Sequence, residues 1–247
     1  MQVNRQIYND VASSNLSSGF ILDHEKIEVP NFINLCVYAC QYDVNFYNED
    51  LFNHFNIVYP KHISQAVNKR KAEYLTGRYS ASLALKHLGI TGFADIPTGR
   101  HRCPIWPHNV LGSITHNHCK AYAAVAYCTD YHYIGIDYEK IITMETAENI
   151  RSMIVNEDEA ELLMCSSFNF ALALTILFSA KESLFKALYP FVGQYFDFSA
   201  ASIISVFDKD KSFELQLNQS LNNRLIKGSR FKGWFSVESN HVLTIIA

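Results

Sequence analysis

The spacing of apolar and polar residues along the chain predicts two long helices. The first covers residues 69–88 and is expected to end at Gly89, because glycine readily adopts the left-handed conformation that closes a helix. The second covers residues 168–188 and is expected to stop at Tyr189 and Pro190, because proline cannot continue the helical hydrogen bonds. Between the two helices, three prolines and two glycines in residues 92–107 predict an irregular loop.

Runs of β-branched and aromatic residues predict strands after each helix. The predicted strands are residues 111–114, 121–127 and 133–138 in the first part of the chain, and 202–207, 212–217, 234–237 and 242–245 in the tail. A helix followed by strands occurs twice. The pattern therefore indicates an α+β fold of two related halves, with the boundary near residues 129–131.

Composition and charge narrow the classes of function. Hydrophobic residues make up 49% of the 247 residues and charged residues 18%, which is typical of a globular protein of one large or two smaller domains. A net charge of -3 argues against a general nucleic-acid binder, so a bound anion would need a local cluster of cations. The six cysteines form no CxxC pair, residues 1–15 show no signal-peptide pattern, and no apolar run is long enough for a membrane span. We therefore expect a soluble cytoplasmic protein.

Two acidic residues close the strand-like segment at residues 135–139. Asp137 and Glu139 are two positions apart, so on a strand their side chains project to the same side, about 7 Å apart. Paired carboxylates suit Mg²⁺, which prefers one or two carboxylates together with waters and phosphates. A solvated strand end is the alternative interpretation, because so short a pattern also occurs by chance.

The second predicted helix carries an acid on a largely apolar face. A carboxylate at Glu182 is costly there unless it is paired with a cation or a metal ion. Lys186, one turn later, offers an ordinary helical ion pair and explains Glu182 without a functional site. That interpretation leaves Lys181 unexplained, so these residues by themselves favour neither structure nor function.

Basic residues form a third group of candidates. Arg70 and Arg78 lie eight residues apart on one helix face, about 12 Å along the axis, and each guanidinium can grip a phosphate at two points. Arg102 lies in the proline-rich loop, and the imidazole of His116 can donate to a phosphate oxygen. Solvated cations and a structural histidine are the alternatives. The sequence contains no Gly-rich nucleotide-binding motif and no GxSxG.

Taken in order, five segments resemble one family. RKAEYLTGR at residues 70–78, RCPIWP at 102–107, GSITH at 112–116, GIDYE at 135–139 and FSAKESLFKA at 178–187 resemble the 4′-phosphopantetheinyl transferase superfamily, of the two-lobed type that activates surfactin synthetase. The WP pair and the SAKES form are most similar to the branch that contains enterobactin synthase component D. Each segment alone is a weak signal, but five in register over about residues 65 to 190 are specific.

The resemblance implies a role for each candidate residue. The expected Mg²⁺ ligands are Asp137, Glu139 and Glu182, and the expected catalytic residues are Glu182, Asp137 and Lys186. The expected coenzyme A contacts are Lys181 and Lys186 at the diphosphate, Arg70, Arg78, Arg102 and His116 at the 3′-phosphate and adenosine end, and Ser113 and Thr115 along the nucleotide site.

The resemblance also implies the architecture and the reaction. We expect two similar α/β lobes related by a pseudo-twofold, with residues 1–130 on the 3′-phosphate and adenosine side, residues 131–247 on the metal and diphosphate side, and the active site in the cleft between them. The phosphopantetheine arm of coenzyme A would move to a serine of an apo carrier protein (peptidyl, aryl or acyl), releasing 3′,5′-ADP. Glu182 would accept the serine proton, directly or through a metal-bound water.

We expect a monomer that activates siderophore synthetases, such as those of enterobactin biosynthesis, or other non-ribosomal peptide synthetases. Two alternatives remain open on the sequence alone. One is another Mg²⁺-dependent nucleotide phosphotransferase or hydrolase that uses the same acids. The other is a non-catalytic module that binds carrier proteins.

Overall fold

The computed structural model describes residues 19–91 and 96–247. The expectations for residues 1–15 and for the start of the loop at 92–95 lie outside the described residues. Over the described ranges the protein is α+β, with five α-helices and two β-sheets. The helices are α1 (Leu51–His54), α2 (Asn68–His87), α3 (Met144–Ile154), α4 (Glu157–Met164) and α5 (Phe170–Val192). None of these five is both long enough and apolar enough to cross a membrane.

Nine strands in the described residues form the two sheets. They are β1 (Ile21–Ile27), β2 (Cys36–Tyr42), β3 (Val110–His116), β4 (Lys120–Tyr127), β5 (Gly135–Lys140), β6 (Ala201–Phe207), β7 (Ser212–Leu217), β8 (Arg230–Glu238) and β9 (His241–Ile246). The first sheet has the order β1-β2-β4-β3 and the second the order β5-β9-β8-β7-β6. All neighbours in the second sheet are antiparallel.

The described residues fall into two compact units. The first contains residues 19–28, 36–91, 96–110 and 114–126, and the second contains residues 29–35, 111–113 and 127–247. Each unit has its own buried apolar side chains. Each is therefore described by itself.

In the first unit the helix α2 packs against β2. Its buried positions include small residues such as Ala72, Gly77 and Ala81, which let the helix come close to the strands. A Cβ atom at Gly77 would lie 3.0 Å from the side chain of Ile114 in β3. One face of α2 is thereby held close to the end of β3.

In the second unit the helix α5 packs against β5 and β9. It begins at Asn169, whose side chain accepts a hydrogen bond from the backbone N–H of Leu172. A Cβ atom at Gly135 would lie 1.8 Å from the carbonyl oxygen of Ser183. Only glycine permits this approach, which brings the acidic end of β5 beside the middle of α5.

The ends of the two long helices test the sequence-based boundaries. α2 ends one residue before the predicted position, with Gly89 in the left-handed region at φ 80°. The predicted stop at Pro190 is wrong, because α5 continues to Val192. Within the last turn a proline costs only the one hydrogen bond that its nitrogen cannot donate. Gly193, at φ 71° and donating to the carbonyl of Tyr189 at 2.9 Å, closes the helix instead.

Candidate active site

A cavity of about 700 Å³ opens in the first unit beside α2. Its volume is typical of sites for small-molecule ligands. One face of α2 lines it with Arg70, Tyr74 and Arg78, as the helical period predicts. Its basic lining residues are His62, Arg70, Arg78, His101, Arg102 and His116, and among the described residues the one acid in the lining is Glu73. This charge pattern makes the cavity suitable for an anion.

The guanidinium of Arg78 is fixed at the wall of this cavity. Arg78 is only 6% exposed, and its Nε donates to the carbonyl of Ile96 at 2.6 Å. Its Nη2 donates to the hydroxyl of Thr98 at 3.1 Å, and the guanidinium lies over the ring of Tyr74 at 4.5 Å. These contacts orient the charge before any ligand arrives, which lowers the entropy cost of binding.

Arg70 and His116 meet at the other side of the cavity. The Nη1 atom of Arg70 lies 2.9 Å from Nε2 of His116 and 3.3 Å from a carboxylate oxygen of Glu73. The Nδ1 atom of His116 lies 3.8 Å from the same carboxylate oxygen. Sequence reasoning did not include Glu73 in the site, although its position three residues after Arg70 on a helix is a signal for an ion pair.

The residues of β3 that were predicted to contact the nucleotide lie on opposite sides of the strand. Ile114 and His116 line the cavity, whereas the side chains of Ser113 and Thr115 are buried and do not line it. The hydroxyl of Ser113 instead accepts a hydrogen bond from the backbone N–H of Ile136 at 3.2 Å. Alternate residues of a strand face opposite sides, so one strand cannot present all of these residues to one ligand. Ser113 and Thr115 are not among the residues that line this cavity, and their contact with the nucleotide stays a prediction.

Asp137 is the buried centre of a polar cluster in the second unit. Its Oδ1 accepts a hydrogen bond from the ammonium of Lys186 at 2.7 Å, and its Oδ2 accepts one from the hydroxyl of Ser179 at 2.8 Å. Lys186 also donates to the carbonyl of Ile136 at 3.1 Å. The pairing of a β5 acid with an α5 lysine follows from the close approach of these two elements.

Glu139 and Glu182 share the electrostatic environment of Asp137. Burial raises the pKa of Glu139 to about 7, the charges of Asp137 and Glu182 add to the rise, and Lys186 opposes it. Burial likewise raises the pKa of Glu182, assisted by the charge of Asp137 and opposed by Lys186. The three predicted acids therefore act on one another and share the nearby cation Lys186.

The donor set fits Mg²⁺, but the three carboxylates do not form a ready coordination sphere. Within residues 19–91 and 96–247, no three His, Cys, Asp or Glu side chains stand close enough together to hold a metal ion. Mg²⁺ needs only one or two carboxylates when waters and substrate phosphates complete its shell. Burial is the main cause of the raised pKa of Glu139, and the charges of Asp137 and Glu182 add to it. A divalent cation would offset this added negative charge.

The structure places Lys181 away from this cluster. Its side chain is 4% exposed, and its ammonium donates to Glu159 and to the carbonyls of Ile154 and Phe198, all within 3.1 Å. Glu159 also accepts hydrogen bonds from the backbone N–H groups of Asn156 and Ile203. Every proton of the ammonium is used inside the second unit, so the predicted contact of Lys181 with a diphosphate is not supported.

Family models match both halves of the chain. Residues 59–126 match the 4′-phosphopantetheinyl transferase N-terminal domain, and residues 133–246 match the 4′-phosphopantetheinyl transferase superfamily. The chain belongs to the phosphopantetheinyl transferase superfamily. The first match contains the whole lining of the cationic cavity, and the second contains Asp137, Glu139, Glu182 and Lys186. The family predicted from the five segments is confirmed.

Individual relatives support the same branch as the sequence segments. Enterobactin synthase component D of Salmonella typhi is 38% identical over 146 residues, which are 58% of this chain and 60% of that protein. The protein of the same name from Escherichia coli (strain K12) is 41% identical over 126 residues, covering 51% of this chain and 58% of that protein. The 4′-phosphopantetheinyl transferase Svp of Streptomyces mobaraensis is 37% identical over 146 residues, covering 58% and 57%. The chain thus spans less than two thirds of each relative.

Proposed function

We propose that this superfamily member transfers the 4′-phosphopantetheine arm of coenzyme A to a serine of an apo carrier protein. One observation carries the proposal. Three mutually interacting carboxylates, on Asp137, Glu139 and Glu182, share the cation of Lys186 within the region that matches the family. Buried acids with raised pKa values are typical of sites that bind metal ions or move protons.

The cationic cavity is the proposed site for the 3′-phosphate and adenosine of coenzyme A. Arg78 would donate to phosphate from a fixed position, and Arg70 with His116 would grip it from the other side. Arg102 adds a positive charge from the exposed loop residues that line the same cavity. This assignment gives residues 1–130 the nucleotide end of coenzyme A and residues 131–247 the metal and the diphosphate.

Asp137, Glu139 and Glu182 are the proposed Mg²⁺ ligands, completed by phosphate oxygens and water. A bound Mg²⁺ supplies neutralisation of the diphosphate and of the charge that develops on the leaving group. Lys186, whose ammonium donates to Asp137, would also donate to a phosphate oxygen. Lys181 has no part in this proposal, because Glu159 and two carbonyls hold its ammonium.

Glu182 is the proposed proton acceptor of the reaction. The carrier serine oxygen forms a bond to the β-phosphorus of coenzyme A, and the bond from that phosphorus to the bridging oxygen breaks, so that 3′,5′-ADP leaves. The serine proton passes to the carboxylate of Glu182, whose pKa burial raises towards the pH at which a base works best. No covalent intermediate with the enzyme is needed.

The remaining expectations belong to the same proposal. The two halves would be related by a pseudo-twofold, with the reaction in the cleft between them. The acceptors would be aryl or peptidyl carriers of siderophore or other non-ribosomal peptide synthesis, with acyl carriers also accepted, and the enzyme would act as a monomer. The cysteines form no CxxC pair, and the proposed location is the reducing cytoplasm.

Carrier modification is the direct test. The protein would be incubated with Mg²⁺, coenzyme A and each of a panel of apo aryl, peptidyl and acyl carriers, and the carriers weighed by mass spectrometry. We expect a gain of one phosphopantetheine on at least one carrier. Nucleotide release without a change in carrier mass would support a hydrolase, and carrier binding without either reaction would support a non-catalytic module.

Glu182→Gln tests the role of the base within the same assay. We expect transfer to fall by about 10²-fold or more, because a general base contributes that much, while coenzyme A binds within about two-fold of wild type. Glu161→Gln is the matched control, since Glu161 is an exposed acid on α4 of the same unit. Transfer by Glu182→Gln at a rate near wild type would show that Glu182 is not the base.

A further inference from the structure

Three hydroxyl side chains lie near Asp137 in the buried interior of the second unit. Ser179 and Ser183 are on α5, Thr244 is on β9, and all three are 0% exposed. A buried hydroxyl costs free energy unless it forms a hydrogen bond, and alanine or valine would fill a helix–sheet interface equally well. The presence of three together calls for a specific reason.

The three hydroxyls form a continuous chain of hydrogen bonds that ends at the acid. Ser179 Oγ lies 2.8 Å from Oδ2 of Asp137 and 2.9 Å from Oγ1 of Thr244. Ser183 Oγ lies 2.7 Å from Oγ1 of Thr244 and 3.1 Å from its backbone carbonyl. Thr244 is also the residue that pairs with Asp137 between β9 and β5.

Counting protons fixes the direction of this chain. The carboxylate that pairs with Lys186 can only accept, so Ser179 must donate its single proton to Asp137. Thr244 is then the donor to Ser179. Ser183 has one proton for two acceptors, Oγ1 and the backbone carbonyl of Thr244. The bonds from Thr244 to Ser179 and from Ser179 to Asp137 therefore both point towards the carboxylate, an arrangement in which each bond strengthens the next.

Other buried hydroxyls in the helices behave differently. Thr76 donates to the carbonyl of Ala72 and Thr175 donates to the carbonyl of Ala171, each four residues earlier in its own helix. This is the usual way for a helical hydroxyl to be satisfied. Ser179 instead turns away from the helix backbone to the acid on β5. The hydroxyl of Ser179 therefore satisfies the carboxylate of Asp137 and not a carbonyl of its own helix.

We propose that Ser179 and Thr244 are positioning residues that hold the carboxylate of Asp137 for a divalent cation. With Lys186 on Oδ1 and Ser179 on Oδ2, both oxygens of Asp137 are held from α5. Groups that orient a metal ligand in this way change metal affinity or activity by about 10- to 100-fold when they are removed. The inference rests on the proposed function only in placing the cation at Asp137.

The test measures metal binding without catalysis. Full-length protein saturated with coenzyme A, with no carrier present, is titrated with Mn²⁺, and free Mn²⁺ is followed by electron paramagnetic resonance. We expect Ser179→Ala to raise the Kd for Mn²⁺ by about 10-fold or more, and Thr244→Val to raise it by a smaller factor. Thr244→Ser, which keeps the hydroxyl, should bind as wild type does.

Ser183→Ala is the matched control, because it removes an equally buried hydroxyl from the far end of the chain. We expect its Kd for Mn²⁺ to stay within about two-fold of wild type, and thermal melting to show that all four variants fold. Equal affinities for Ser179→Ala and wild type would overturn the inference, as would equal losses in Ser179→Ala and Ser183→Ala. Failure of the wild-type protein itself to bind Mn²⁺ would overturn the proposed function and this inference with it.

Discussion

The surroundings of Glu139 in the candidate site strongly raise the pKa of its carboxyl group. Its carboxyl is partly buried on β5, beside two other acids and one lysine. The pKa of Glu139 rises from the ordinary 4.5 to about 7, first through burial and then through the charge of Asp137. Between about pH 4.5 and 7, the folded protein without metal therefore keeps a proton on Glu139 that the unfolded chain has released.

This shift predicts a pH dependence of stability. In EDTA, the contribution of Glu139 to the free energy of unfolding is fully present below about pH 4.5 and is lost as the pH rises through about 7. We expect a loss of about 1–2 kcal/mol, after allowance for partial exposure of the side chain. The check is urea unfolding between pH 5 and 8, where wild type should weaken more than Glu139→Gln. If the free energy of unfolding changed equally with pH in the two proteins, the raised pKa of Glu139 would be contradicted.

Side-chain orientation limits what the sequence can predict at this scale. Arg70 and Arg78 are predictable because eight residues return an α-helix to the same face, whatever the helix packs against. The inward direction of Lys181 depends on Glu159, twenty-two residues earlier in the chain, and no local pattern reports that contact. Ser113 is similar, since its neighbour Ile136 is determined by tertiary structure.

The contact between α5 and β5 is the element-scale feature that builds the acidic cluster. Gly135 allows the strand to approach the backbone of α5 at Ser183, and Asp137 then lies within reach of Ser179 and Lys186. A side chain at position 135 would meet backbone atoms, which cannot rotate away. The geometry of the candidate site therefore depends on a residue that takes no part in its chemistry.

Gly135→Ala should separate the helix from the strand. We expect a loss of about 3 kcal/mol or more in the free energy of unfolding, because overpacking against backbone is relieved only by moving an element. The matched change Gly77→Ala places its Cβ 3.0 Å from a side-chain methyl of Ile114, which can shift. For Gly77→Ala we expect a change within about 1 kcal/mol, since the gain in helix propensity offsets the contact. Urea midpoints of the two variants provide the measurement, and equal losses would refute this account of α5 packing.

Elements were predictable where local signals agree with the fold. The strand predicted at residues 212–217 is β7 with the same bounds, and α2 differs from its prediction by one residue at each end. β1 was not predicted, because the centre of its sequence ILDHEKI is polar and its structure comes from pairing with β2. α3 and α4 were also missed, although Asn156 and Glu159 form a capping box that signals the start of α4.

At the scale of the whole molecule, the basic side chains of the cavity and the interacting acids lie in different units. The net charge is only -3, yet the cavity of the first unit collects six basic side chains, and the second unit holds the three interacting acids. The proposed function would assign the nucleotide end of coenzyme A to the first set of residues and the metal-dependent step to the second. The two functions should be separable by experiment.

Removal of metal is the corresponding test. In EDTA we expect transfer to fall by about 10³-fold or more, because the metal carries much of the charge stabilisation. The Kd for 3′,5′-ADP, measured by calorimetry, should change by no more than about three-fold, since the proposal places this ligand in the cationic cavity and not on the metal. Loss of 3′,5′-ADP binding in EDTA would mean that the acidic cluster holds the nucleotide as well.

The placement of Lys181 beside Glu182 changes how related sequences should be compared. The ammonium of Lys181 is held by the buried carboxylate of Glu159, whereas the pKa of Glu182 responds to the charges of Asp137 and Lys186. In another sequence, a lysine aligned with Lys181 would thus indicate that the buried ion pair of the second unit is retained. A glutamate aligned with Glu182 would indicate that the proposed catalytic acid is retained. A homologue that retained the lysine but lost the glutamate would be expected to be a well-folded pseudoenzyme.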